Sequence, residues 1–150
     1  LVPYGDIVPM TAECPTLTFN TIGRHQSRLV RTRVASNLSP WLAKTEVGDM
    51  HTIAISHGEG RFVASDDMLA QIKANGQIAT QYVDEAGVPG MDLSVNPNGS
   101  LLAIEGITSP DGRVFGKMGH SERYSNGTFK NVPGEKDQPL FAAGVEYFAA

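Results

Sequence analysis

Two short turn signals, "NPNGS" at residues 96–100 and "SPDGR" at residues 109–113, constrain the folding of this chain more than any other feature. In each, a glycine follows Asn or Asp, the order a chain reversal needs when one position takes a positive φ. They bracket "LLAIEGIT" (101–108), and "VFGKM" (114–118) follows. Strands separated by such short reversals pair antiparallel, so this region is predicted to form a β-meander. Further strands are expected over "LTFNTI" (17–22), "RLVRTRVA" (28–35), "HTIAIS" (51–56) and "QIATQYVD" (77–84). The clearest helix is "SDDMLAQIKANG" (65–76). Ser65 is placed to cap it, Asp66 and Asp67 suit its positive end, Met68, Leu69 and Ile72 form a stripe, and Gly76 supplies a left-handed stop. A terminal helix is expected over residues 137–150, with Leu140, Phe141, Val145 and Phe148 available to dock. Strands outnumber helices. A doubly wound domain alternates the two more evenly, so the pattern reads as α+β or as a lopsided part of something larger.

With 150 residues, 41% of them hydrophobic, the chain is long enough for one ordinary core. Its formal charge of −4 argues against a nucleic-acid partner, which demands a basic face. No apolar run approaches the roughly 18 residues of a spanning helix, so no membrane partner is expected. No basic stretch followed by an apolar one opens the sequence as a secretory signal does. The single cysteine excludes an internal disulfide framework and fits a reducing, cytoplasmic setting. The first residues, "LVPYGD", lack a methionine, which raises the expectation of a processed or cut piece.

The residues with chemical potential are few. His120 and Glu122 lie two apart after an apolar run, and side chains so spaced on an extended segment project to one side. A carboxylate that accepts the imidazole N–H fixes the tautomer and leaves the other nitrogen free as a base. The same spacing also describes a solvated loop pair, or two ligands of a metal site that needs at least one more. Cys14 is a poor nucleophile: Pro15 follows it and has no backbone N–H to donate to an oxyanion. His57, Glu59 and Arg61 in "SHGEGRF" form either a ligand-presenting loop or a plain turn. Arg24, Arg28, Arg31 and Arg33 are dense enough for an anion site, yet Arg31 and Arg33 alternate as an exposed strand face does.

Taken together, "SHGEGRFVAS", "NPNGS", "ITSPDGRVFGKMGHSER" and "GEKDQPLF" resemble the carboxy-terminal glutaminase domain of phosphoribosylformylglycinamidine synthase, an enzyme family of purine biosynthesis. The resemblance runs from near residue 1 to near residue 150. It implies an α/β, flavodoxin-like class I amidotransferase domain with a Cys-His-Glu triad, of which this chain is the second, strand-rich part with a meander and a C-terminal helix. The family motif Met-Pro-His-Pro-Glu-Arg stands here as Met118-Gly119-His120-Ser121-Glu122-Arg123, so His120 and Glu122 match the triad and both prolines are replaced. An upstream motif, Asn-x-Ser-x-Arg-Phe-Glu-x-Arg, is matched at Asn20, Arg24 and Arg28 but carries Ile22, His25 and Gln26 elsewhere. The family's cysteine elbow precedes a segment resembling "LVPYG", so the nucleophile is expected outside this chain, which alone would be inactive. The resemblance further implies glutamine as substrate, ATP and Mg held by separate synthetase domains of the parent, and no cofactor on this part. It also implies the missing amino-terminal part as partner, with self-association of the isolated chain as a consequence of uncovered edges. Two rival readings predict other arrangements. A β-rich anion-binding module would use the Arg-rich strand, and a small metal site would bring His51 or His57 onto His120.

Overall fold

The computed structural model describes residue 11 and residues 14–125 and 127–149. "LVPYG" and Ala150 lie outside the described residues. In chain order the elements are strands β1 (Thr16–Thr18), β2 (Gln26–Val34), β3 (Met50–His57) and β4 (Arg61–Val63), helix α1 (Asp66–Ala74), strands β5 (Ile78–Tyr82), β6 (Ile104–Thr108) and β7 (Phe115–Lys117), and helix α2 (Leu140–Phe148). Five strands form one antiparallel sheet in the order β3-β2-β5-β6-β7, while β1 and β4 pair separately. The architecture is α/β, with the expected meander in β5, β6 and β7 and a C-terminal helix.

The "SPDGR" turn closes the β6–β7 hairpin as its composition demands. Gly112 takes φ +74°, and the Ser109 N–H donates to the Val114 carbonyl at 2.9 Å. Pairing then sets Thr108 opposite Phe115 and Gly106 opposite Lys117. Helix α1 is capped as predicted, with the Ser65 hydroxyl accepting from the Met68 N–H at 3.3 Å and Gly76 at φ +68°. Its buried stripe is Leu69 and Ile72, packed with Phe62, Ile78 and Ile104. A second cluster joins Val30, Ile53, Ile55, Tyr82 and Ala103, and a third joins Val34, Leu42, Ala79 and Leu140 beneath α2.

Four expectations are corrected. The strand over residues 17–22 shrinks to Thr16–Thr18, because Asn20 turns the chain: the Gly23 N–H donates to its carbonyl at 2.8 Å and Gly23 sits at φ +67°. Residues 101–103 form a 3-10 turn instead of the start of a strand, with Leu102 and Ala103 at φ 53° and 54°. "NPNGS" makes the expected turn, with the Gly99 N–H donating to the Asn96 carbonyl at 3.2 Å and Gly99 at φ +75°, but it does so inside the fold: Asn96, Pro97, Asn98 and Ser100 are all buried. Helix α2 starts only after Pro139, consistent with the aversion of a pre-proline residue to helix, and docks through Leu140, Ala143 and Gly144. Phe141, Val145 and Phe148, expected to dock, are 62%, 68% and 53% exposed.

Candidate active site

The end of the β6–β7 hairpin carries the chain directly to the site. After Lys117 the backbone crosses to β3, where the His120 N–H donates to the Ala54 carbonyl at 2.8 Å. Gly119 makes the crossing possible: a Cβ there would lie 2.2 Å from Ile53 Cδ1 and 2.8 Å from Glu105 Oε1. A 3-10 turn, Ser121–Arg123, follows at once and folds Glu122 back toward the ring. The result is the predicted pairing, with His120 Nδ1 2.6 Å from Glu122 Oε1. An ionised carboxylate only accepts, so Nδ1 carries the proton and Nε2 is the basic nitrogen. Partial burial pushes the Glu122 carboxyl up. Its own backbone N–H and His120 outweigh that and hold it below the usual range. The pair opens on a groove of about 450 Å³ bordered by Trp41, Phe115, Lys117 and Phe141.

His57, at the end of β3, lies close enough to His120 for the His120 ring to disfavour its charge. Burial first, then His120, lowers its pKa, with Asn98 opposing. Gly60 leaves room for the ring, because a Cβ there would sit 2.2 Å from it. The loop "SHGEGRF" joins β3 to β4, as the turn reading has it. It is held from beneath by buried Asn20, whose Nδ2 donates to the carbonyls of His57 at 2.9 Å and Arg24 at 3.0 Å, and whose Oδ1 accepts from the Gly60 N–H at 3.1 Å. Ser100 adds a hydroxyl donated to the Gly60 carbonyl at 3.1 Å and accepts from the Phe62 N–H at 3.0 Å. Asn98 donates to the Tyr82 hydroxyl at 2.7 Å.

The other sequence candidates disperse. Arg28 donates to the carbonyls of Leu93 and Ser94, Arg31 pairs with Glu85 at 3.0 Å, and Arg33 donates to the Gly87 carbonyl and Gln81. Three of the four arginines are thus engaged within the fold, and Arg31 and Arg33 are half-buried where an exposed face was expected. Cys14 Sγ receives a hydrogen bond from the Thr11 N–H and lies 3.5 Å from the Thr11 hydroxyl, and these two groups lower its thiol pKa. Among the described residues no three of His, Cys, Asp and Glu gather as a metal site would need. Among the described residues no helix is long and apolar enough to cross a membrane.

Two residues beside the site escape a reading by motif: Glu105 and Lys117. Only Glu105 leaves a trace in the sequence, as a charge inside the apolar run "AIEGI"; in the structure its side chain is fully enclosed.

A family model described as a CobB/CobQ-like glutamine amidotransferase domain matches residues 1–148. A relative from Aquifex aeolicus (strain VF5), named phosphoribosylformylglycinamidine synthase subunit PurQ, is 39% identical over 102 residues, covering 68% of this chain and 44% of its own length. One of the same name from Methanosarcina mazei is 34% identical over 131 residues, covering 87% of this chain and 54% of its own. Among solved structures, one described as PurLQS from Thermotoga maritima matches with a TM-score of 0.65 at 28% identity, over 89% of this chain and 52% of that one. The chain spans about half the length of the curated relatives it matches. A paired His120 and Glu122 at the mouth of a groove, in a fold similar to that of such a relative, agree with the match along nearly the whole chain: it belongs to the CobB/CobQ-like glutamine amidotransferase domain family.

Proposed function

We propose that this chain carries the base and orienter of a PurQ-type glutaminase. That glutaminase would release ammonia for the ATP-dependent conversion of formylglycinamide ribonucleotide to formylglycinamidine ribonucleotide in purine biosynthesis. The observation that carries the reading is the 2.6 Å contact of His120 Nδ1 with Glu122 beside an open groove, in a chain of an amidotransferase family. His120 Nε2 takes the proton of a cysteine thiol, and the resulting thiolate attacks the side-chain amide carbon of glutamine. His120 Nε2 gives its proton to the departing nitrogen, and ammonia leaves a glutamyl thioester. The same nitrogen then takes a proton from water as the water oxygen attacks the thioester, which expels the thiolate and releases glutamate. Glu122 holds the imidazole tautomer throughout and offsets its positive charge while it is protonated.

Cys14 is not the thiol, because Pro15 denies it the following N–H. The nucleophile comes from outside the 150 residues, and the chain by itself is inactive. ATP and Mg belong to the synthetase part of the enzyme, and no step on these residues passes through them. A cytoplasmic enzyme working against other synthase parts fits this reading, with exposed Phe19, Phe141 and Val145 as apolar surface for such contacts.

The test compares nitrogen sources in the intact enzyme that carries this chain. His120→Ala is expected to remove glutamine-dependent product formation by about 10²-fold or more while ammonia-dependent formation persists. Equal loss of both, or glutamate release by the isolated chain that Cys14→Ala abolishes, contradicts the reading.

A further inference from the structure

The residues on either side of His120 are gripped by a buried charge pair that takes no part in the chemistry proposed above. Glu105 is 2% exposed. It accepts from the Gly119 N–H at 2.5 Å through Oε1 and from the Thr80 hydroxyl at 2.5 Å through Oε2. Lys117 Nζ lies 3.7 Å from Glu105 Oε1. An ammonium has three donors and no acceptor. Those of Lys117 go to the Gly119 carbonyl at 3.1 Å, Ser121 Oγ at 2.9 Å and Gln138 Oε1 at 2.9 Å. The Ser121 hydroxyl in turn donates to Gln138 Oε1 at 2.5 Å. The residue before His120 is therefore held at both its N–H and its carbonyl, and the residue after it is held at its side chain.

This arrangement depends on the departures from the family motif noted above. A proline at 119 has no N–H to give Glu105, and a proline at 121 has no hydroxyl for Lys117 and Gln138. A ring that fixes φ is one way to stiffen a backbone, and a closed set of hydrogen bonds is another. A buried ion pair is a poor source of stability in itself but a strong source of geometric specificity where every member is satisfied. Here all three donors of the ammonium and both oxygens of the carboxylate are used.

We propose that Glu105 and Lys117, with Gln138, form a positioning clamp that takes over the stiffening role of the two prolines and sets the His120 ring against Glu122. The clamp rests on the glutaminase reading only for the reaction it serves. Lys117 and Glu105 are positioning residues, not catalytic ones.

The test uses Ser121→Ala, which removes one arm without stranding a buried charge, and Ser121→Thr, which keeps the hydroxyl. A third variant, Glu105→Gln with Lys117→Met, removes both charges at similar size, and circular dichroism confirms that each variant folds. In the intact enzyme, Ser121→Ala and the double variant are expected to lower kcat for glutamine hydrolysis about 10- to 100-fold with KM within about twofold, and Ser121→Thr to retain wild-type turnover. In parallel, NMR of labelled protein is expected to show the downfield His120 Nδ1 proton, the signature of its bond to Glu122, lost in Ser121→Ala and in the double variant and kept in Ser121→Thr. A folded Ser121→Ala with unchanged kcat and an unchanged Nδ1 proton overturns the clamp, as does a rise in KM at constant kcat. If wild type shows no glutamine hydrolysis dependent on His120, the glutaminase reading fails, and the NMR comparison alone decides the clamp.

Discussion

His51 is buried at the start of β3, and its Nδ1 has no hydrogen-bond partner among the described residues. Burial lowers its pKa, opposed by Asp49 and Glu135, and burial lowers that of His57 as well. Both rings bind protons less readily when folded than when unfolded, where the pKa is about 6.5. Stability is thus fully present above that value and is lost as pH falls through the lower folded values. Glu122 and Glu135, also held low, add a further loss below about 4.5. Thermal midpoints are expected to fall between pH 7 and pH 5, and less steeply in His51→Phe, which cannot titrate. An acid limb of equal slope in that variant contradicts the assignment. At this scale the sequence yields His120 and Glu122, because a spacing of two suffices to suggest a pair. It does not yield Glu105 and Lys117, whose meeting depends on the β6–β7 register. Nor does it show Asn20, Asn96 and Asn98 as buried supports, since the same letters also spell surface turns.

Among the elements, α1 is legible because its cap, charges and stripe agree. Helix α2 is legible as a helix but not in its orientation. Counting large apolar residues selects Phe141, Val145 and Phe148, whereas close approach to Trp41 selects the small face of Ala143 and Gly144. Gly144→Ala sets two magnitudes against each other. Alanine improves helix propensity by about 1 kcal/mol. Its Cβ, however, would lie 2.2 Å from the Trp41 ring, which is fixed by donation of its Nε1–H to the Arg113 carbonyl at 2.8 Å. Overpacking of this kind costs about 1–3 kcal/mol, so a net loss of up to about 2 kcal/mol is expected in urea unfolding. A midpoint equal to or above that of wild type contradicts the packing described for α2.

For the whole molecule, the meander and the antiparallel order followed from turn chemistry, while the β3-β2-β5 pairing needed long-range contacts that local pattern does not encode. Architecture and family agree, and the site sits where β7 hands the chain across to β3. In the proposed function Glu122 orients His120 for glutamine hydrolysis. The most direct test of that role is the turnover of Glu122→Gln in the intact enzyme with glutamine as the nitrogen source. A fall in kcat of about 10²- to 10⁴-fold is expected, because an amide in place of the carboxylate no longer enforces the tautomer or offsets the imidazolium. Turnover equal to wild type would contradict it.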